Sequence, residues 1–353
     1  MTVPLAGLRA ALLAQAPDLA QWPLQPMAAK GLAHDHVRLV GSGLLARIPK
    51  QSQMRLGVQD NLQYQQACFD RAMACGHVPG CIQRLQPTAQ LARGALLVQE
   101  IEGRPASLPE DLPRLMQTLA AIHALPVPSQ KDAAPLLYTD DPLLAMLQEI
   151  KLQAAYMPSA NLQSAVLQEI SEELSTLQTL CETTARPERR LIAFDGHPGN
   201  YVVTQAGTDN SKAYLVDLEK CRYSYPGFDL AHATLYTSTT WDMCSHVVLS
   251  TEEVSNAYSS WEQYVGSSLA ASAAPWHIAL RRAMWLWSIT WCAKWRVASQ
   301  AATSLSKDDE DWSAEQLDKP LATHVKERVD HYLTAACVQN VRADFADLEA
   351  SLA

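Results

Sequence analysis

One short stretch constrains this chain more than any other: Asp195-Gly-His-Pro-Gly-Asn200, followed 22 residues after Asp195 by Leu215-Val-Asp217-Leu-Glu219. It falls within LIAFDGHPGNYVVT and KAYLVDLEKC, which read as two short apolar β-strands inside an otherwise helical part of the chain. Strands that end in or lead from acidic side chains make a poor structural hairpin, so these carboxylates need another reason to be there. Pro198 and Gly199 supply the rigid and the permissive position of a tight turn. Such a turn can aim Asp195 and Asn200 into one cleft, and Asp217 at the end of a neighbouring strand completes a set of hard oxygen donors. Phosphoryl transfer needs that set: a carboxylate to orient the attacking hydroxyl, and oxygens to hold magnesium against the phosphates. Taken alone, Asp195 and Asn200 would be turn caps. Asp217 and the flanking segments shift the balance toward chemistry.

The rest of the sequence divides around that patch. Residues 4–15 have helical spacing, Val37–Leu39 and Leu44–Ile48 form a hairpin through Gly41-Ser42-Gly43, and 59–75 is a helix stopped by Gly76. Ala95–Ile101 reads as a strand closed by a turn at Gly103, and from about residue 109 helices dominate, at 141–156, 161–183 and again over 226–353. The expected fold is α+β, with a strand-rich lobe over 1–102 and a larger helical lobe over 103–353. A chain of 353 residues is also too long for one small core.

Composition narrows the function by exclusion. A net charge of -9 weighs against nucleic acid, whose phosphates are held mainly by lysine and arginine. No uncharged apolar run reaches the ~18 residues of a membrane span. The N-terminal stretch lacks the basic start of a signal peptide, and Arg9 and Asp18 interrupt its apolar run. Eight cysteines are scattered without a CxxC pair, which reads as reduced thiols in a cytoplasmic protein. Oligomeric state is not written in the sequence.

The 195–219 segment resembles the aminoglycoside phosphotransferase and choline kinase superfamily, whose catalytic loop commonly reads HGDxHPGN and whose metal strand reads IDWE or IDFE. PGFDLAHAT at 226–234 is similar to the following PxxDLA segment. LLVQEIEGRP and LMQTLAAIHALPVP are similar to the family's hinge strand and the helix after it. The resemblance runs in order from about residue 30 to 235. It implies a two-lobed protein-kinase-like fold that moves the γ-phosphoryl of ATP, with Mg2+, to a hydroxyl of a small-molecule acceptor. It places Asp195 as the catalytic carboxylate, Asn200 and Asp217 as metal ligands, and Asp229 as the brace of the catalytic loop. It also sets Arg47 at the phosphate-binding position, with Lys50 as the alternative, and backbone groups of Gln99, Glu100 and Ile101 at the adenine. The helix partner of Arg47 is open among Gln65, Gln66 and Asp70, and the phosphate-covering turn falls at 31–36. Two departures stand out: the motif's His is Ala193 and its Gly is Phe194.

Other features have plainer readings. His34 and His36 share a strand face but show no third ligand nearby, so they are expected as surface or turn residues. His197 and His123 are expected to be structural. Glu219 is either a carboxylate supporting the metal ligands or a solvated strand end. Trp287, Trp291 and Trp295 form one helical stripe, with core packing as the default and an aromatic wall for a cationic acceptor as the alternative. With Trp241 and Glu219, Trp287 and Trp291 are the candidate acceptor contacts. Lys307–Asp311 reads as a solvated charge run. The rival from another class is an inactive nucleotide-binding pseudokinase or scaffold. A protein kinase is a weaker rival, because only twelve residues separate Asp217 from Asp229.

Overall fold

A computed structural model describes residues 3–28, 31, 33–208, 210–242, 245–300 and 319–352. The Lys307–Asp311 run and Cys244 lie outside these residues. The N-terminal part is a five-stranded antiparallel sheet with strand order β1-β2-β3-β5-β4: β1 (Leu24–Pro26), β2 (His34–Leu39), β3 (Leu44–Pro49), β4 (Cys81–Leu85) and β5 (Ala95–Gln99). Helix α1 (Leu5–Gln15) precedes it, and α2 (Val58–Ala72) lies between β3 and β4.

The unbroken apolar run Ala95-Leu-Leu-Val98 is explained by burial on both faces. Ala95 and Leu97 join Leu8, Leu12, Val37 and Ala46 in the core beneath α1. Leu96 and Val98 point the other way, into a core shared with Leu62, Cys68 and Phe69 of α2. At the hairpin between β2 and β3, Gly41 and Gly43 take φ of 91° and 71°, which side chains with a Cβ adopt only under strain. Helix α2 runs into a 3₁₀ turn and stops at Gly76 as expected.

After the strand, residues 100–103 lead to β6 (Arg104–Pro105) and the helical part. This contains α3 (Leu112–His123), α4 (Gln130–Ala133), α5 (Pro142–Ala154), α6 (Ser164–Glu182), α7 (Pro226–Thr234), α8 (Tyr236–Thr239), α9 (Thr251–Val265), α10 (Ser267–Ala273), α11 (His277–Ala298), α12 (Lys319–Tyr332) and α13 (Ala335–Leu352). Helix α11 is the axis of a second core, built with α5, α6, α7, α12 and α13 around Trp285, Trp287 and Trp295. Glu173, 1% exposed on α6, ties three helices together: Arg282 of α11 donates two bonds of 2.8 Å and Arg342 of α13 one of 2.8 Å.

The β insert is richer than the two strands expected. It holds four strands, β7 (Arg190–Ile192), β8 (Tyr201–Thr204), β9 (Lys212–Leu215) and β10 (Arg222–Ser224), in two small sheets. One pairs β7 with β10, and the other runs β6-β8-β9. Three-residue strands are too short to show a period, which is why β7 and β10 escape a sequence reading. This pair of sheets clamps the 193–200 turn at both ends.

Candidate active site

The catalytic-loop segment is held from below by one helix. Asp229 on α7 is fully buried and accepts the backbone N–H groups of Ala193 and Phe194, each at 2.7 Å. His123 sits 3.0 Å from the same carboxylate, and Trp261 donates its indole N–H to the other ring nitrogen at 2.9 Å. One turn further along α7, the His232 ring lies 3.1 Å from the Phe194 carbonyl. The PGFDLAHAT segment therefore shapes the loop at three backbone groups, and the His missing at Ala193 leaves no gap in that support.

Phe194 shows why glycine commonly occupies its place, since its φ is +62°. Its ring is buried, lies edge-on to Trp287 at 5.2 Å and is capped by the Arg222 guanidinium at 3.6 Å. Left-handed backbone costs roughly 1–2 kcal/mol for a residue with a Cβ. Deleting a buried phenylalanine costs about 3–5 kcal/mol. Packing wins, so Phe194→Gly is expected to destabilise the protein by about 2–3 kcal/mol despite relieving the backbone, as read by chemical denaturation.

Above this floor the predicted site residues converge. Asn200 Nδ2 donates to the Asp195 carbonyl at 2.9 Å, and Val216 N–H donates to the Asn200 carbonyl at 2.9 Å. Asn200 and Asp217 thus stand on adjacent strand ends. Gly199 is needed here, because a Cβ would come within 2.9 Å of the Asp242 side chain. The Arg47 fork on β3 donates to the Val216 carbonyl at 3.0 Å and to Asp217 Oδ1 at 2.7 Å. Burial alone would raise the Asp217 carboxyl, but Arg47, then His34, hold it well below the usual carboxylate range. Lys50 is turned away, with its ammonium by the Gly31 carbonyl and Asp35.

The choice of an α2 partner for Arg47 stays open: Gln65 is 1% exposed, but it bonds His34 at 3.0 Å and donates to Glu219 at 3.4 Å, while Arg47 bonds Val216 and Asp217. These contacts overturn two expectations. His34 is neither a surface nor a turn residue: it lies in β2, 3% exposed, and burial with Arg47 pushes its imidazole down to about 3. Its donor atoms also have neighbours, since His34, Asp217 and Glu219 offer ligand atoms within 4.8 Å of one another. The β1–β2 connection accordingly occupies 27–33, and His34–His36 are strand, not turn. Glu219 is no solvated strand end. It is 3% exposed beneath α2, where it accepts from Gln65, and its carboxyl is pushed up to about 8 by burial and by Asp217.

Lys220, which the sequence reading passed over, pairs closely with the Asp195 carboxylate. Its ammonium lies 2.9 Å from Asp195 Oδ2 and 5.6 Å from the centre of the Trp287 ring, and it is 8% exposed. Burial alone would raise the Asp195 carboxyl; Lys220, then His197 and His232, outweigh it and lower it. A lysine beside a short acidic strand is unremarkable as sequence, and only the fold brings it across.

The tryptophans divide. Trp287 donates to Glu149 at 2.8 Å, and Glu149 also holds Arg222 at 3.1 Å, so this ring is a floor beneath Lys220. Trp241 and Trp291 are half-buried and meet edge-on at 5.7 Å, next to Asp242 and the catalytic turn. Trp295 is core. At the hinge, the Gln99 and Glu100 N–H groups donate to the Gly80 and Gly43 carbonyls, and the Glu100 carboxylate holds Arg38 at 2.6 Å. The sheet consumes those two amides, while among the described residues no hydrogen bond engages the Ile101 N–H.

The sequence profile of the phosphotransferase enzyme family (APH) matches residues 28–263, about two-thirds of the chain. The chain belongs to this family. No curated protein sequence matches it. The fold of these phosphotransferases recurs in solved structures of low identity. The GDP complex of aminoglycoside 2'-phosphotransferase-IIIa is 15% identical, with 92% of this chain and 98% of that one covered and a TM-score of 0.62. An ethanolamine kinase from Plasmodium vivax is 10% identical over 95% and 87%, with a TM-score of 0.60. A choline/ethanolamine kinase family protein from Mesorhizobium loti is 14% identical over 98% and 100%, with a TM-score of 0.56. The matched range contains Arg47, Asp195, Asn200, Asp217, Lys220 and Asp229, while Trp287 and Trp291 lie beyond it. Among the described residues no helix is long and apolar enough to cross a membrane.

Proposed function

We propose that the protein is a small-molecule kinase that transfers the γ-phosphoryl group of ATP to an acceptor hydroxyl placed against Asp195. The observation that carries this is the convergence of Asp195, Asn200 and Asp217 on one turn and its neighbouring strand, with Asp195 held ionised by Lys220. The nucleotide lies between the lobes divided near residue 102, with the Ile101 N–H free to meet the base. Arg47 keeps its terminal nitrogens on Val216 and Asp217, which fixes the Asp217 carboxylate in place before any phosphate arrives. Its Nε is buried without a partner.

The donor set fits magnesium. The side-chain oxygens of Asn200 and Asp217 are hard ligands on adjacent strand ends, and the ion, when bound, neutralises phosphate charge. Asp195 orients the hydroxyl and takes its proton, Lys220 keeps that carboxylate ionised and aimed, and the Phe194–Trp287 floor fixes both. The half-buried pair Trp241 and Trp291 marks the acceptor side, where an amine-bearing alcohol would meet aromatic faces.

Acceptor-dependent release of ADP across a panel of amino alcohols, aminoglycosides and sugars tests the proposal. Nucleotide binding with no release for any alcohol would turn the reading toward a scaffold. In that assay Lys220→Met should lower turnover by about 10-fold or more with nucleotide affinity unchanged. Loss of the ammonium lets burial raise the Asp195 carboxyl, so the acidic limb of the pH profile should move to higher pH. An unmoved limb would assign Lys220 to packing alone.

A further inference from the structure

Lys220 stands three residues after Asp217, on the turn that leads from β9 to β10, and its ammonium reaches across to Asp195 Oδ2 at 2.9 Å. It therefore sits between the carboxylate that meets the acceptor and the strand end that carries the metal ligand. Asp195, Glu219 and Asp217 all lie close enough to act on its charge. An ammonium has three N–H donors. Asp195 takes one, and among the described residues no hydrogen bond joins the ammonium to any other protein acceptor. Donors drawn this far out of water are costly to leave without an oxygen. The pair is nevertheless open enough to meet one, with 10% of the Lys220 side chain and 15% of the Asp195 side chain exposed.

We infer, on the kinase reading of this site, that Lys220 is a catalytic residue whose ammonium donates to a non-bridging oxygen of the phosphoryl group as that group crosses to the acceptor. In this step the acceptor oxygen forms a bond to the γ-phosphorus, and the bond from that phosphorus to the β–γ bridging oxygen breaks. ADP leaves with the electron pair, and the hydroxyl proton passes to Asp195. Lys220 already covers Oδ2. Oδ1 has the His232 ring no nearer than 3.8 Å, so Oδ1 is the atom that takes the proton.

Charge on a transferring phosphoryl group spreads over its three equatorial oxygens. A fixed cation beside their path stabilises the group in flight, where it counts toward rate, rather than the bound nucleotide. Arg47 does not serve there, because its terminal nitrogens are committed to the Val216 carbonyl and Asp217. Lys220 is held for the task by Asp195 at one donor and by the Trp287 ring, 5.6 Å from the nitrogen.

The test is calorimetric binding of magnesium-ADP to the full chain, alone and with fluoroaluminate, which mimics the phosphoryl group in flight. Fluoroaluminate should tighten wild-type binding by about 100-fold or more, as transition-state mimics do. Lys220→Met should bind magnesium-ADP within a few-fold of wild type. It should lose about 10- to 100-fold of the fluoroaluminate gain, the loss of one hydrogen bond from a charged donor. Lys220→Arg, which keeps charge and donors, should restore most of that gain. Asp195→Asn, which cannot take a proton but keeps Lys220, should retain most of it too. Should Lys220→Met fail to fold, Lys220→Gln decides by the same criterion. A full gain in the variant without the ammonium, even with a shifted acidic limb of the pH profile, would confine Lys220 to holding Asp195 and overturn the assignment. An equal loss in Asp195→Asn, or no gain in a wild type that binds magnesium-ADP, also overturns it. A wild type that does not bind magnesium-ADP at all would overturn the kinase reading itself.

Discussion

Asp195→Ala is expected to lower turnover by about 10²–10⁴-fold, the range for a general base, while nucleotide affinity stays within a few-fold of wild type. The asymmetry follows from the position of the side chain. Asp195 pairs with Lys220, and in the proposed reading it faces the acceptor, whereas Arg47, Asn200 and Asp217 would build the nucleotide end of the cleft. Alanine also leaves the buried Lys220 ammonium without its closest counter-charge. Asp195→Asn controls for this, because it keeps a hydrogen-bond acceptor for Lys220 and the same shape but cannot take a proton. Both variants should lose similar activity. Turnover of either within tenfold of wild type would remove Asp195 from the acid–base role.

Asp229→Ala should cost about 3–5 kcal/mol of stability and inactivate what remains folded. The carboxylate is fully buried and carries three partners: two backbone N–H groups and His123. Removing it strands all of them, at about 1–3 kcal/mol for each unsatisfied group, partly offset by relaxation. The Ala193–Phe194 backbone is what those bonds hold, so the 193–200 turn should lose its shape before the rest of the lobe. Denaturant melts with hydrogen exchange at Ala193 and Phe194 would read both effects. A loss below about 1 kcal/mol, within the range of a single hydrogen bond, would show that His232 and the flanking strands suffice.

Much of this site was legible because it is local. Asp195, Asn200 and Asp217 fall within one strand–turn–strand segment, so their spacing carries their proximity. Asp229 was readable through its position after the metal strand. Lys220 was not, although it touches Asp195, because its approach depends on the turn between β9 and β10 and on a Trp287 floor drawn from α11. The burial of His34 was equally hidden: alternating polar and apolar residues on a strand do not reveal which polar one is covered, and here Gln65 of α2 covers His34. A strand reading through Ile101 treated Gln99 to Ile101 as equivalent, yet the N–H groups of Gln99 and Glu100 close the sheet and leave Ile101 alone. Two of the four short strands around the turn, β7 and β10, were under-read because three residues cannot display a period of two.

The most direct measurement is a thermal-shift titration with ATP and magnesium, comparing wild type with Asp217→Asn, which keeps the shape beside Arg47 but removes the charge. Ligand at about 100 times its dissociation constant adds roughly 2.7 kcal/mol to stability, enough to raise the melting temperature of such a chain by several degrees. The predicted result is a shift that needs magnesium, disappears with EDTA and is lost in Asp217→Asn. A shift that survives both, or no shift with any nucleoside triphosphate and metal, would contradict a nucleotide–metal site at Asn200 and Asp217.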